Sequence, residues 1–180
     1  MLTIVVPGTE MFDETKQEFV TDGDITLELE HSLVSLSKWE SKHEKPFLTK
    51  DMKTTEEVLD YIKCMTLTPN IAPEVFHKLS KDNISEINMY IEAKMSATWF
   101  NDSPGTSPSR EIITSELVYY WMITFQIPFE CQYWHINRLF TLIRVCNVKQ
   151  AKPKKMSRTE IAMRNRDLNA QRRSQHGTTG

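Results

Sequence analysis

Apolar residues recur at every second position near the start of the chain and at every third or fourth position from Leu33 onward. Leu2-Thr3-Ile4-Val5-Val6 is a β-branched run that stops at Pro7-Gly8, and Phe19-Val20 precedes the turn signal Thr21-Asp22-Gly23-Asp24. Ile25, Leu27 and Leu29 then alternate with Thr26, Glu28 and Glu30. Period-two alternation marks a half-buried strand. The spacing predicts an antiparallel hairpin or three-stranded sheet over residues 1–30, with a long polar first connection from Glu10 to Glu18. Glu28 and Glu30 are expected on the solvent face, opposite Leu27 and Leu29.

The period then changes to that of a helix. Ser32 is placed to cap a helix over 33–44, with Leu33, Leu36 and Trp39 spaced three apart and Pro46 as the stop. Thr54-Thr55-Glu56-Glu57 is a capping box, followed by the stripe Val58, Leu59, Ile62 and Met65 and ended by Pro69. Pro73 suits the first position of a helix over 73–79. Asp82 or Asn83 is expected to cap a helix through Glu92 that turns Ile84, Ile87 and Ile91 inward. The run from Asn101 to Ser109, rich in Ser, Pro and Gly, predicts a loop within 101–110. An aromatic helical hairpin follows over 111–148: one helix from Ile112 to Gln126, and a second, begun or kinked by Pro128, to about Asn147. The predicted fold class is α+β and mostly α-helical, with a small N-terminal antiparallel sheet, a helical body and a basic C-terminal helix.

Charge divides the chain at Lys149. Residues 1–148 hold 13 Lys and Arg against 22 Asp and Glu, a formal charge of −9; residues 149–180 hold 9 against 2, or +7. We therefore read 1–148 as a single domain of 1–30 sheet, 31–100 helices, loop and hairpin, and 149–180 as a basic linker and helix. Within that tail, Ser157-Arg158-Thr159-Glu160 forms another capping box, predicting a helix to about Arg173. Its basic residues Lys152, Lys154, Lys155, Arg158, Arg164, Arg166, Arg172 and Arg173 form a candidate docking arm. Three readings remain open: a helix that docks on an acidic protein, a solvated tail, and a phosphate-binding arm. Protein docking is favoured and nucleic acid placed last, because the tail has no aromatic residue for base stacking.

Three cysteines, Cys64, Cys131 and Cys146, show no paired spacing. No basic n-region precedes the opening apolar run, and no apolar stretch approaches the ~20 residues of a membrane span. A soluble, reduced, intracellular protein without membrane contact is expected. Cys131 and His135, four apart, predict a buried thiol and an interfacial histidine rather than a metal site, since zinc sites want three or four ligands at tight spacings. Glu28, Glu30 and His31 put two carboxylates beside an imidazole, but no nucleophile motif, phosphate loop or dinucleotide fingerprint accompanies them. No catalytic residue, metal or cofactor is assigned.

Tyr119-Tyr120-Trp121-Met122 occupies four consecutive positions, which span nearly the whole circumference of a helix. Such a helix is either surrounded or meets another chain on one side. Trp39, Tyr120, Trp121, Trp134 and Arg138 are the candidate anchors, for structure or for protein contact.

Several runs carry a resemblance together. They are Leu27 to Glu40, Lys45-Pro46-Phe47-Leu48, Arg110 to Glu116, Tyr120-Trp121-Met122-Ile123, Ile127-Pro128-Phe129-Glu130-Cys131, Trp134 to Leu139, and Lys154-Lys155-Met156-Ser157. In this order the chain resembles the tail assembly chaperones of siphophages and prophages. The resemblance implies a non-enzymatic protein that holds the tape-measure protein while tail-tube proteins polymerise around it. It also implies self-association into a homo-oligomer, residence in the host cytoplasm and absence from the mature virion. No site residues come with it. The alternative is a structural virion protein, a tail completion or connector component, whose basic tail docks on a neighbouring subunit.

Overall fold

The computed structural model describes residues 1–8, 10–13, 18–21, 23–49, 51–100, 111–151 and 157–177. The chain is mostly helical, with antiparallel strands at its N-terminus. It divides into two compact units, Met1–Asn147 and Val148–Gly180.

Strand β1 (Leu2–Val6) pairs with β4 (Ile25–Leu29), with Ile4 opposite Leu27. Ile4, Val6, Leu27 and Leu29 are buried while Thr3, Val5, Thr26 and Glu28 are exposed, as period-two alternation requires. Between them lies a second antiparallel pair, β2 (Glu10–Asp13) and β3 (Glu18–Thr21), with Phe12 opposite Phe19. This corrects the polar connection expected over Glu10 to Glu18: its two ends are strands that pair with each other. The far edge of β4 is occupied as well. Leu67 N donates to Glu28 O, Glu30 N to Met65 O, and Glu28 N to the Thr68 hydroxyl.

Helix α1 (Leu33–His43) begins at Ser32, whose hydroxyl accepts from Ser35 N, and ends at Glu44 in the left-handed region. Helix α2 (Thr55–Met65) starts on the Thr54–Glu57 capping box. Pro73 opens a 3-10 helix over Pro73–Lys78 rather than an α-helix. Helix α3 (Lys81–Glu92) is capped by Ser80 and not by Asp82 or Asn83. Ser80 Oγ accepts from Asn83 N, and Asn83 Oδ1 accepts from Ser80 N. The expected loop at 101–110 lies outside the described residues.

The hairpin is shorter and more broken than its periodicity suggests. Helix α4 (Ser115–Thr124) starts three residues late because the Thr114 side chain caps it. A 3-10 helix (Phe129–Tyr133) follows Pro128, and helix α5 (Ile136–Gln150) begins only after Trp134 and His135. Those two residues leave the helical path because Ile136 N donates to His31 O at 2.7 Å and His135 bridges Ser32. Cys131 and His135 therefore do not share a helix, although both are buried.

Two apolar cores flank α1. One gathers the β1–β4 sheet, α2, Pro73–Lys78 and α3 around Leu27, Leu29, Trp39, Ile62, Met65 and Ile87. The other gathers Leu33 and Leu36 with α4, Cys131 and α5, through Val118, Met122, Ile136 and Leu139. The three-apart spacing of Leu33, Leu36 and Trp39 predicts a single apolar face, but the structure sends the leucines to the second core and Trp39 to the first.

Helix α6 (Arg158–His176) has the predicted Ser157–Glu160 box, and Gly177 closes it at φ 62°, where a side chain would strain the backbone. Every described residue of α6 is exposed.

Candidate functional site: an aromatic surface beside a buried polar seam

The seam between the two cores is polar and buried. His31 and His135 are 2 % and 6 % exposed, and their rings meet edge to face with centroids 5.1 Å apart. His31 Nδ1 hydrogen-bonds the Tyr61 hydroxyl, and His135 Nε2 lies 2.9 Å from Tyr90 O. The Tyr90 hydroxyl donates to Glu30 Oε1 at 2.7 Å, and Glu30 Oε2 lies 2.7 Å from the Met1 amino group. Glu30 thus turns inward, whereas strand alternation put it in solvent; β4 ends at Leu29, so the alternation no longer governs it. Asn137 Nδ2 donates to Ile91 O and Ala93 O, closing the carbonyl end of α3.

Burial, and then the facing His135, lowers the His31 pKa to about 3. Burial also lowers His135, against a hydrogen bond to Tyr90 O that raises it. Tyr61 is pushed up by burial, and Tyr90 is pushed up by burial and Glu30. Each shift keeps its own group neutral, so the two imidazoles and two phenols are joined as uncharged hydrogen-bonding groups, with the Glu30–Met1 ion pair at the margin. Among the described residues no buried side-chain nitrogen or oxygen lacks a partner.

A second buried polar link joins α1 to α4. Glu40 Oε1 accepts from Phe47 N at 2.8 Å, and Oε2 accepts from Ser115 N at 2.7 Å, in the first turn of α4. A carboxylate suits that place, because first-turn amides have no partner within their helix.

A cleft of about 520 Å³ opens beside α1 and α2, with Lys42, His43, Glu57, Asp60, Lys63 and His77 in its wall. Its charges are largely matched. Asp60 accepts from Lys42 and His43, and Glu57 accepts from Lys45 at 2.8 Å. Burial pushes Asp60 up, but the Lys42 and His43 hydrogen bonds outweigh it and hold the carboxyl below its usual range. The hydrogen bond from Lys45 lowers Glu57 to about 2. Among the described residues no three His, Cys, Asp or Glu side chains group to hold a metal ion. No helix among them is long and apolar enough to cross a membrane.

The most distinctive surface belongs to α4. Val118 and Met122 point into the second core, while Leu117, Tyr119 and Trp121 are half-buried on its flanks. Tyr120 and Ile123, three positions apart on the remaining side, are 60 % and 62 % exposed. Phe129 and Tyr133, on the following 3-10 helix, are also more than half exposed. Tyr119 joins the two elements: its hydroxyl donates to Gln132 Oε1 at 2.9 Å, and its ring lies 6.4 Å from that of Phe129.

The sequence-derived anchors separate accordingly. Trp39 is a core residue; its Nε1 donates to Glu57 O at 2.9 Å and its ring stacks on His43. Trp121 and Trp134 pack against the second core. Arg138 is exposed, with its guanidinium 4.1 Å from the centre of the Trp134 ring. Tyr120 alone among the five is an exposed aromatic. Tyr133 of the Tyr133-Trp134 pair, which the sequence also offers as an exposed anchor, is exposed as well; Ile123 and Phe129 were not singled out, and the i, i+3 spacing of Tyr120 and Ile123 was the available signal. Of the basic arm, Arg158, Arg164, Arg166, Arg172 and Arg173 lie on α6, while Lys152, Lys154 and Lys155 lie outside the described residues.

Compared with protein-family models, with curated proteins and with solved structures, the chain matches none.

Proposed function

We propose that this chain is a non-catalytic tail assembly chaperone of a siphophage or prophage. It binds the tape-measure protein and other copies of itself in the host cytoplasm and leaves before the virion is complete. The exposed apolar residues Tyr120 and Ile123 of α4, with Phe129 and Tyr133 on the following 3-10 helix, carry this reading. Exposed aromatic clusters are typical protein contacts. A long helical client with an apolar stripe can lay that stripe across such a surface. The ordered likeness of the runs quoted above supplies the identity of the client.

The test is co-expression with the tape-measure protein of the same phage or prophage. The chain should keep that protein soluble, and Tyr120→Ser with Ile123→Ser should abolish the effect without changing the melting temperature. Precipitation of the client beside the wild-type chain overturns the proposal.

One observation favours a second reading. Helix α6 exposes every described residue, as an arm awaiting a neighbouring subunit would. A structural tail component of that kind is present in purified virions at fixed stoichiometry, whereas a chaperone is absent.

A further inference from the structure

Four of the five arginines of α6 lie on one side of the helix, while Arg164 falls on the opposite side, four positions after Glu160 and three before Asp167. At 3.6 residues per turn, Arg158, Arg166, Arg172 and Arg173 fall within about 120° of its circumference. Asn165 and Asn169 lie in the same arc, with Ala162 as its one apolar member. Glu160 and Asp167, the only acidic residues of the helix, both fall on the opposite side. A solvated helix does not need an arc of four arginines free of acidic residues. Glu160 and Arg164 have the i, i+4 spacing that supports an isolated helix, and the arc of the other four arginines holds no acidic residue at all.

We propose that this face of α6 binds double-stranded DNA in its major groove. Three features select this partner over an acidic protein. Helices that dock on proteins present a continuous apolar stripe, but in α6 Ile161 and Leu168 lie on one flank and Met163 on the other. The cationic side chains in the arc are arginines, which form paired hydrogen bonds to phosphate and to guanine edges. The two asparagines between them are the side-chain type that pairs with adenine. The missing aromatics exclude stacking on single strands but place no limit on groove binding. An α-helix about 10–12 Å across fits a major groove about 12 Å wide, whereas the major groove of duplex RNA is too narrow for it.

The inference goes beyond chaperone activity and stands without it. The test uses the full chain and a fluorescent 20-base-pair DNA duplex, with anisotropy read across a salt series. Each phosphate neutralised contributes about −0.9 to the slope of log affinity on log salt. Four arginines therefore give about −3.6, or roughly a 150-fold loss between 50 and 200 mM salt. Replacing Arg158, Arg166 and Arg173 by Gln should make the slope shallower by about 2.7. Removing the same charge elsewhere, by Lys38→Gln, Lys78→Gln and Lys81→Gln, should leave it unchanged. The proposal is overturned by absence of binding at 50 mM salt, or by equal losses in the two triple variants. It is also overturned if an RNA hairpin or polyglutamate, at equal charge, displaces the DNA more effectively than unlabelled duplex does.

Discussion

Acidification should destabilise the first unit through His31, by an amount that its surroundings set. The ring is buried between the Tyr61 hydroxyl and the His135 edge, so a proton on it has neither water nor an anion to stabilise it. Its pKa falls from 6.5 to about 3 in the folded chain and returns to its ordinary value on unfolding. The unfolded chain therefore binds the extra proton between pH 6.5 and 3. Stability is fully present above 6.5 and is lost as pH falls through that window. A gap of three and a half units corresponds to about 4–5 kcal/mol when fully developed, and to about 2–3 kcal/mol by pH 4.5. His135, also lowered by burial, adds in the same direction.

Urea unfolding of the wild type and of His31→Asn, at intervals from pH 7.5 to 4.5, isolates the His31 contribution. The asparagine oxygen can keep the Tyr61 hydroxyl but cannot take up a proton in this range. The variant starts lower, because volume is lost from the seam. Its free energy of unfolding should then fall by about 2–3 kcal/mol less than that of the wild type over the same range. Parallel curves would refute the reasoning, since His31 would then titrate alike in both states.

Glu40→Gln should cost about 2–4 kcal/mol, because one of two charge-assisted hydrogen bonds is lost and an amide NH₂ is turned toward a backbone N–H. Calorimetry should show a melting temperature lower by roughly 5–12 °C, and a loss below 1 kcal/mol would count against the link. Ser80→Ala should cost about 1 kcal/mol in urea unfolding, since it removes the α3 cap, while Asp82→Ala should cost less. Ending the chain after Gln150 should leave the unfolding free energy of the first unit within about 0.5 kcal/mol, because α6 buries no residue; a larger fall would show that the tail supports the core.

What was legible in the sequence was what short-range chemistry decides. The capping boxes at Thr54 and Ser157 satisfy amides within one turn, so four residues suffice to recognise them. The box at Ser80 escaped because its third position is Asn83, not the usual Glu or Gln. The β2–β3 pair escaped because four-residue strands in a polar stretch have too few apolar positions to show a period. The break before α5 was hidden for a different reason. Nothing near Trp134 forbids helix; the chain leaves it because Ile136 N finds His31 O, a partner from the start of α1. Likewise no local pattern tells Glu40 that its carboxylate will cap α4, or His31 that it will face His135.

The same division bears on how the protein can leave so much apolar surface uncovered. Two separate cores would slide on each other if only non-directional contacts joined them. The seam prevents this: His31 to Tyr61, His135 to Tyr90 O and Asn137 to the end of α3 are directional, and each has one register that satisfies it. Glu40 fixes α4 in the same manner, by its first-turn amide and not by its outer side chains. Positioned from within, α4 does not need Tyr120 or Ile123 for its own packing. Those positions are free to be chosen for a partner, so substitutions there should alter binding while leaving the fold in place.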